Sequence, residues 1–148
     1  MKITKDFPGL VDIGWAYELK GSLVVDGGLD IQLGGKCLKV EKNIEAGCGI
    51  EAGEGIEAGC GIKAGWGIEA GEGIKAGWSI EAGEGIEAGL GIKAGWSIIC
   101  TVLTCRYRIF AGLCIWKIPS KEEKQIICEK VASGEIAYGE LVIKKGTK

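Results

Sequence analysis

The sequence predicts an all-β fold, a single-stranded parallel β-solenoid with a small α+β unit at its C-terminal end. Two observations carry this prediction. The chain repeats the pattern I-[E/K]-A-G-x-[G/S] nine times, and such a fixed short period is typical of solenoids. Isoleucine accordingly recurs every six residues at ten positions: Ile44, Ile50, Ile56, Ile62, Ile68, Ile74, Ile80, Ile86, Ile92 and Ile98.

Each repeat has the pattern of a three-residue strand followed by a corner. In Ile50-Glu51-Ala52 apolar and polar residues alternate, so Ile and Ala face a core while Glu faces solvent. The G-x-G that follows predicts a corner with positive φ. Three of the nine x residues are Glu, so we place this position outside, at the corners: Cys48, Glu54, Cys60, Trp66, Glu72, Trp78, Glu84, Leu90 and Trp96.

The length of one coil depends on how the strands stack. A strand of three residues buries nothing alone, so successive coils must pair about 4.8 Å apart. Three hexads give a triangular coil of 18 residues, and two give a flat coil of 12. The shorter coil stacks four Glu in one row, whereas the longer one stacks only Glu51, Glu69 and Glu87. Because like charges directly opposed are unfavourable, we favour about three hexads per coil.

The solenoid is predicted to span residues 19–98, and residues 1–18 are predicted to cap its first coil. Terminal repeats of solenoids need such atypical caps. Before the regular repeat, Leu19, Val25 and Ile31 keep the same six-residue spacing. The spacing restarts one residue late at Leu38, and Gly34-Gly35 predicts a bulge that accommodates the extra residue.

Residues 99–148 are predicted to form a C-terminal α+β cap. Residues 99–104 and 107–118 are rich in β-branched and aromatic residues, which predicts strands. Ser120-Lys121-Glu122-Glu123 matches a capping box and predicts a helix over 121–131. A final strand is predicted over 135–144. Such a unit would close the end of the solenoid, where an unpaired edge invites polymerisation.

Charge is unevenly distributed although the net charge is only −2. Residues 44–99 carry nine Glu and three Lys, a net charge of −6, and residues 100–148 carry a net charge of +4. The pattern fits either solvated surfaces of different sign or one face that engages a charged partner. The lysines within the repeat and the modest total charge argue against a nucleic-acid mimic and a nucleic-acid partner.

The composition also excludes several kinds of chemistry. The chain has no histidine, so Ser-His-Asp and Cys-His catalysis are excluded. Its seven cysteines include no C-x-x-C pair, which predicts reduced thiols and no metal site. The glycine motifs lack the Lys-Ser/Thr of a phosphate loop. We therefore expect a non-enzymatic protein without cofactors. The N-terminus has no apolar signal segment, and no stretch approaches the roughly 18 apolar residues of a membrane span, so we expect a cytoplasmic protein.

Large apolar side chains at the corners are the most specific candidates for an interface. Exposed tryptophan is uncommon and enriched at interfaces. Two alternatives stay open, a contact with another molecule and a cover formed by another segment of the same chain. The candidate interface residues are Trp66, Trp78, Trp96 and Leu90, and the candidate acidic face consists of Glu51, Glu69 and Glu87.

Two resemblances bear on function. The aliphatic residue at every sixth position resembles bactofilins, the polymer-forming β-solenoid cytoskeletal proteins, whereas hexapeptide acyltransferases share only the period. The segments Arg108–Trp116 and Ser133–Gly139 resemble short modules of small proteins from gut bacteria and their phages. That resemblance implies a protein-interaction module in a bacterial or phage-infected host cell, an inhibitor that binds a host defence complex. The alternative is a self-assembling structural solenoid. We expect a closed homo-oligomer, with a dimer favoured, whereas the structural alternative would assemble without limit.

Overall fold

The computed structural model describes residues 1–114 and 117–144, and it is built almost entirely from short strands. One 3-10 turn, Glu122–Lys124, interrupts them. The strands are β1 (Lys2–Thr4), β2 (Val11–Asp12), β3 (Ala16–Leu19), β4 (Leu23–Val25), β5 (Leu29–Gln32), β6 (Cys37–Val40), β7 (Ile44–Ala46), β8 (Ile50–Ala52), β9 (Ile56–Ala58), β10 (Ile62–Ala64), β11 (Ile68–Ala70), β12 (Ile74–Ala76), β13 (Ile80–Ala82), β14 (Ile86–Ala88), β15 (Ile92–Ala94), β16 (Ile98–Ile99), β17 (Val102–Phe110), β18 (Gln125–Cys128), β19 (Lys130–Tyr138) and β20 (Glu140–Ile143).

Successive strands wind into a parallel β-solenoid with three faces. Face 1 consists of β1, β5, β8, β11 and β14, and face 2 of β3, β6, β9, β12 and β15. The longer strands β17 and β19 bend around a corner and belong to both of these faces. Face 3 is the seven-stranded sheet β4-β7-β10-β13-β16-β18-β20. Each coil contributes one strand to face 3, so the solenoid has seven coils.

The regular coils have the predicted length of 18 residues. Ile62 lies in parallel register with Ile44 on one side and with Ile80 on the other, and the same spacing holds on the other two faces. All ten repeat isoleucines are at most 2% exposed. The prediction of a β-solenoid with three hexads per coil and inward-facing isoleucines is therefore confirmed.

The glycines of the repeat do not have the positive φ predicted for the corners. Among the described residues, the glycines with positive φ all lie outside the nine hexads. The hexads need glycine for a different reason. In most repeats, a Cβ added to the glycine that follows Ala would collide with a backbone carbonyl of the preceding coil. Close stacking of the coils, and not the backbone conformation, therefore demands glycine here.

The irregular second coil contains a longer insertion than predicted. Ile31 lies in register with Ala52, and Val40 lies in register with Ala58. Nine residues therefore separate Ile31 and Val40 where six separate their partners, an insertion of three residues instead of one. Gly34 and Gly35 accommodate it with φ values of 61° and 92°. These are left-handed conformations that residues with a Cβ rarely adopt.

The N-terminal end of the solenoid is partly covered by its own chain. β1 already pairs in parallel with β5 as the first strand of face 1. β2 then pairs antiparallel with β3 and lies along the edge of face 2. Between them, Phe7 and Leu10 are half-buried and pack against the core. Residues 1–18 therefore provide both a solenoid strand and a cover for the first coil.

The helix predicted over 121–131 is wrong. The capping box does form, because Ser120 and Glu123 exchange backbone-to-side-chain hydrogen bonds of 3.1 and 3.3 Å. It supports only the single 3-10 turn. The next residues add β18 to face 3, where Ile126 lies in register with Ile98 and is fully buried. Burial and strand pairing in an existing sheet outweigh a local helix signal.

The C-terminal residues extend the solenoid, and the predicted α+β cap is replaced by two further coils. β17 with β18 forms the sixth coil, and β19 with β20 forms the seventh. Leu141 and Ile143 in the last coil are 42% and 54% exposed. The described residues therefore leave the C-terminal end of the core uncovered.

Candidate functional site

The outward side chains of face 1 form a row of carboxylates. Asp30, Glu51, Glu69 and Glu87 occupy equivalent positions on β5, β8, β11 and β14, in direct strand register. Neighbouring strands of a sheet lie about 4.8 Å apart, so each carboxylate faces the next at short range. The three glutamates predicted as an acidic face do lie together and are exposed. Like charges opposed in this way destabilise a sheet.

The other two faces mix charges in their outward rows. On face 2, Lys39, Glu57 and Lys75 occupy consecutive strands, and Lys75 lies 3.9 Å from Glu57. On face 3, Lys63 lies between Glu45 and Glu81. Within the described residues, face 1 alone has a run of four acidic strand neighbours. The acidic row is therefore a property of one face and not of the repeat as such.

Trp66 forms one wall of a recess beside this acidic row. Its side chain is 58% exposed at the corner that leads into face 1. Backbone hydrogen bonds fix that corner, since Trp66 donates to the Cys48 carbonyl and accepts from Glu84. The recess has a volume of about 660 Å³, and its lining includes Leu29 and Ile50, whose side chains are buried in the core. We call it the acidic groove, and its polar and aromatic wall consists of Trp66, Asp30, Glu51 and Glu69, with Lys2 at the N-terminal end.

Trp78 and Trp96 stack on each other at a different corner, between faces 2 and 3. Their ring centroids lie 5.3 Å apart, with an interplanar angle of 7°. The ammonium of Lys117 lies 5.2 Å from the Trp96 ring centroid, and Gly112 donates a hydrogen bond to the Trp96 carbonyl. The loop after β17 therefore covers Trp96, which is half-buried, while Trp78 stays 39% exposed. The indole N–H of Trp96 is buried without an acceptor among the described residues.

Leu90 lies at the third corner, between faces 1 and 2. It is 42% exposed, and its carbonyl accepts backbone hydrogen bonds from Arg106 and Tyr107. The four side chains predicted as an interface are therefore divided among three corners of the solenoid. Only Trp78 and Trp96 contact each other, and only Trp66 adjoins the acidic row.

All seven cysteines are described, and each is free. Cys100, Cys105 and Cys128 are buried in the core of the last coils. Burial, and secondarily the neighbouring Cys128, raises the pKa of the Cys100 thiol to about 12. At neutral pH this thiol is therefore protonated and behaves as a small apolar core side chain. Among the described residues, no three acidic or cysteine side chains are arranged as metal ligands.

Sequence reasoning missed three residues of these surfaces. Asp30 extends the acidic row, and Lys2 ends it, but the three-residue insertion in the second coil hides their register with Glu51. Lys117 lies in a loop that follows no repeat, so no periodicity could place it over Trp96. The alternation of polar and apolar residues in strands β1 and β5 was the signal that could have pointed to Lys2 and Asp30.

No helix among residues 1–114 and 117–144 is both long and apolar enough to cross a membrane. Comparison with protein-family models, with curated protein sequences and with solved structures finds no match.

Proposed function

We propose that this chain is a non-enzymatic protein-interaction module that binds a basic, extended segment of a partner protein in its acidic groove. The observation that carries the proposal is the in-register row of Asp30, Glu51, Glu69 and Glu87 beside exposed Trp66. Four stacked carboxylates lower the stability of a sheet. A cationic partner would relieve that repulsion, so binding and relief of electrostatic strain act together.

The chemistry of the groove fits lysine and arginine side chains. Carboxylates accept charge-assisted hydrogen bonds from ammonium and guanidinium groups. The indole of Trp66, which is 58% exposed, offers a cation–π surface beside these carboxylates. A basic segment lying along the solenoid axis would meet both features.

The resemblance of the C-terminal segment to modules of gut bacteria and their phages supports a narrower proposal. The partner would be a component of a host defence complex, and the chain would act as an inhibitor in the cytoplasm of a bacterial or phage-infected host cell. A pull-down from bacterial lysate with intact-mass identification tests this narrower proposal. Recovery of partners that lack any exposed lysine-rich or arginine-rich segment would contradict it.

Peptide binding tests the groove directly. A fluorescently labelled lysine-rich peptide of about ten residues is titrated with the protein and followed by anisotropy. Glu51→Gln combined with Glu69→Gln should weaken binding at least ~10-fold, and raising salt from ~50 to ~300 mM should weaken it as well. Trp66→Ser should weaken binding with the charge unchanged.

The matched control removes the same charge from face 3, with Glu45→Gln combined with Glu81→Gln. It should leave the affinity within about twofold, since interactions of exposed charges decay within a Debye length. Equal weakening by both pairs would mean that the peptide responds only to net charge. That result, or the absence of any peptide binding, would contradict the proposed binding function of the acidic groove.

The second candidate function is a self-assembling solenoid like a bactofilin. Continuous end-to-end stacking requires an accessible edge at both ends of each molecule. Here antiparallel β2 lies along one N-terminal edge, and Phe7 and Leu10 pack over the first coil. These features support a finite assembly. Filaments in negative-stain microscopy, or light scattering that grows without limit with concentration, would favour the bactofilin-like alternative.

A further inference from the structure

The C-terminal end of the solenoid exposes side chains that point toward the core. In β20, Leu141 and Ile143 lie in register with Ile126 and Cys128 of β18, which are almost completely buried. Both therefore occupy the inward positions of face 3. They are nevertheless 42% and 54% exposed. An apolar strand edge of this kind is a template for pairing with another strand.

β20 is the last strand of the face 3 sheet and pairs on one side with β18. The pairing continues one residue beyond the strand, because the Lys144 backbone N–H donates a 2.8 Å hydrogen bond to the Cys128 carbonyl. The extended segment therefore runs from Glu140 to Lys144. Within the part of the chain that the structure describes, its opposite edge has no strand partner.

This segment is self-complementary when two copies pair antiparallel. In Glu140-Leu141-Val142-Ile143-Lys144, an acidic residue and a basic residue flank three apolar residues. Antiparallel pairing centred on Val142 places Glu140 opposite Lys144 of a second copy and Leu141 opposite Ile143. Both kinds of cross-strand pair are stabilising.

We propose that the chain forms a two-fold symmetric dimer through its C-terminal end, with β20 of each copy paired antiparallel about Val142. A two-fold axis perpendicular to face 3 reverses the strand direction and keeps inward side chains inward. The two cores then meet end to end and cover Leu141 and Ile143. Such an isologous contact closes on itself and adds no further copies. This interface uses a surface distinct from the acidic groove and goes beyond the proposed function.

The two ends of the segment do not pair with each other in one molecule, because Glu140 and Lys144 are about 13 Å apart along one extended strand. Within the described residues, Glu140 lies 3.7 Å from Lys121 of its own chain, and Lys144→Glu leaves this ion pair intact. Glu140→Lys places two lysines opposite each other twice in the dimer, and Lys144→Glu does the same with two glutamates.

The experiment measures mass by light scattering and sedimentation over a concentration series. The chain of 148 residues should approach twice its mass of 15.5 kDa at high concentration. Each single variant should raise the dissociation constant about 10-fold or more. An equimolar mixture of the two single variants should dimerise again, because the lysine pair of one copy meets the glutamate pair of the other. The combined variant Glu140→Lys with Lys144→Glu should also dimerise alone.

The matched control is Lys5→Glu, a charge reversal of an exposed residue near the opposite end. It should leave the dissociation constant unchanged. A chain that stays monomeric at all concentrations would overturn the proposed interface. Single variants that dimerise as well as the parent chain, or a mixture that fails to dimerise, would overturn it too. If the parent chain dimerises but does not bind the lysine-rich peptide, the result contradicts the proposed function of the acidic groove and leaves the proposed dimer standing.

Discussion

Gly71 lies directly above the carbonyl oxygen of Gly53, one coil earlier, at the corner between faces 1 and 2. A Cβ built on Gly71 would approach that oxygen well within 3.0 Å, a separation that real Cβ atoms essentially never show. The same relationship recurs up the solenoid at Gly65, Gly83 and Gly95. The second glycine of the same G-x-G differs, since a Cβ on Gly73 would make an ordinary contact of 3.5 Å with the Gly91 carbonyl oxygen.

Gly71→Ala should therefore destabilise the fold, and Gly73→Ala should not. The methyl group at position 71 forces two coils apart, at a cost of ~1–3 kcal/mol. At position 73 the same methyl group fits, and the change should stay within about 0.5 kcal/mol. Urea unfolding followed by circular dichroism measures both variants against the parent chain. Equal effects would contradict the steric distinction between the two glycines.

The regular part of this fold was predictable because one short pattern repeats without interruption. Alternation in Ile50-Glu51-Ala52 defines the inward face, and the charge rows favour coils of 18 residues over coils of 12 without excluding the shorter coil. The reason for the glycines was not predictable. Positive φ is a property of one residue, whereas the contact between Gly71 and Gly53 exists only after the coils have stacked.

The helix predicted over 121–131 was wrong because the capping box is a local signal, and the sequence does not show the open strand edge that lies beside it. Ser120 and Glu123 do form the predicted capping contacts. Ile126, however, meets an open edge beside Ile98, where burial and strand pairing are available. The acidic row was predictable on the regular repeats, but Asp30 was not, because the insertion at Gly34-Gly35 breaks the period.

Ile68→Asp should unfold the solenoid locally or completely, whereas Trp66→Asp should be tolerated. Ile68 is 1% exposed, and a carboxylate there has no partner, at a cost of several kcal/mol. Trp66 is 58% exposed, so the same new charge stays in water. Thermal unfolding of the two variants tests the inward register. A melting curve of Ile68→Asp identical to that of the parent chain would rule that register out.

Glu69→Lys should raise stability while it weakens binding in the acidic groove. A lysine between Glu51 and Glu87 replaces two like-charge neighbours by two opposite ones, worth ~1 kcal/mol at low salt. Added salt should shrink the difference by screening. The mirror-image control is Lys63→Glu on face 3, which replaces two opposite-charge neighbours, Glu45 and Glu81, by two like-charge neighbours and should lower stability. The urea midpoints of both variants at low and high salt test this prediction. A Glu69→Lys variant with a lower midpoint than the parent chain would contradict the argument from repulsion.

Cys100 should resist alkylation in the folded protein, and Cys48 should not. Burial raises the pKa of Cys100 to about 12, so at pH 8 only about 1 in 10,000 of these thiols is the reactive thiolate. Cys48 lies half-exposed at a corner. Iodoacetamide treatment followed by peptide mass spectrometry compares the two residues. Both should react once the chain is unfolded in denaturant. Equal rates in the folded state would show that the last coils open readily.

The stacked pair Trp78 and Trp96 should stabilise each chain without holding two chains together. The rings stack at 5.3 Å, and Lys117 covers the Trp96 face that Trp78 leaves free. A double-mutant cycle of Trp78→Ser and Trp96→Ser should give a coupling of ~0.5–1.5 kcal/mol in urea unfolding. The sequence alone favours these tryptophans as the contact between subunits, whereas the proposed dimer uses β20 at the C-terminal edge of face 3. The doubly substituted chain should therefore keep the dimer mass of the parent in light scattering at concentrations where it remains folded. A doubly substituted chain that is folded but monomeric would move the interface from the C-terminal end to the tryptophan corner.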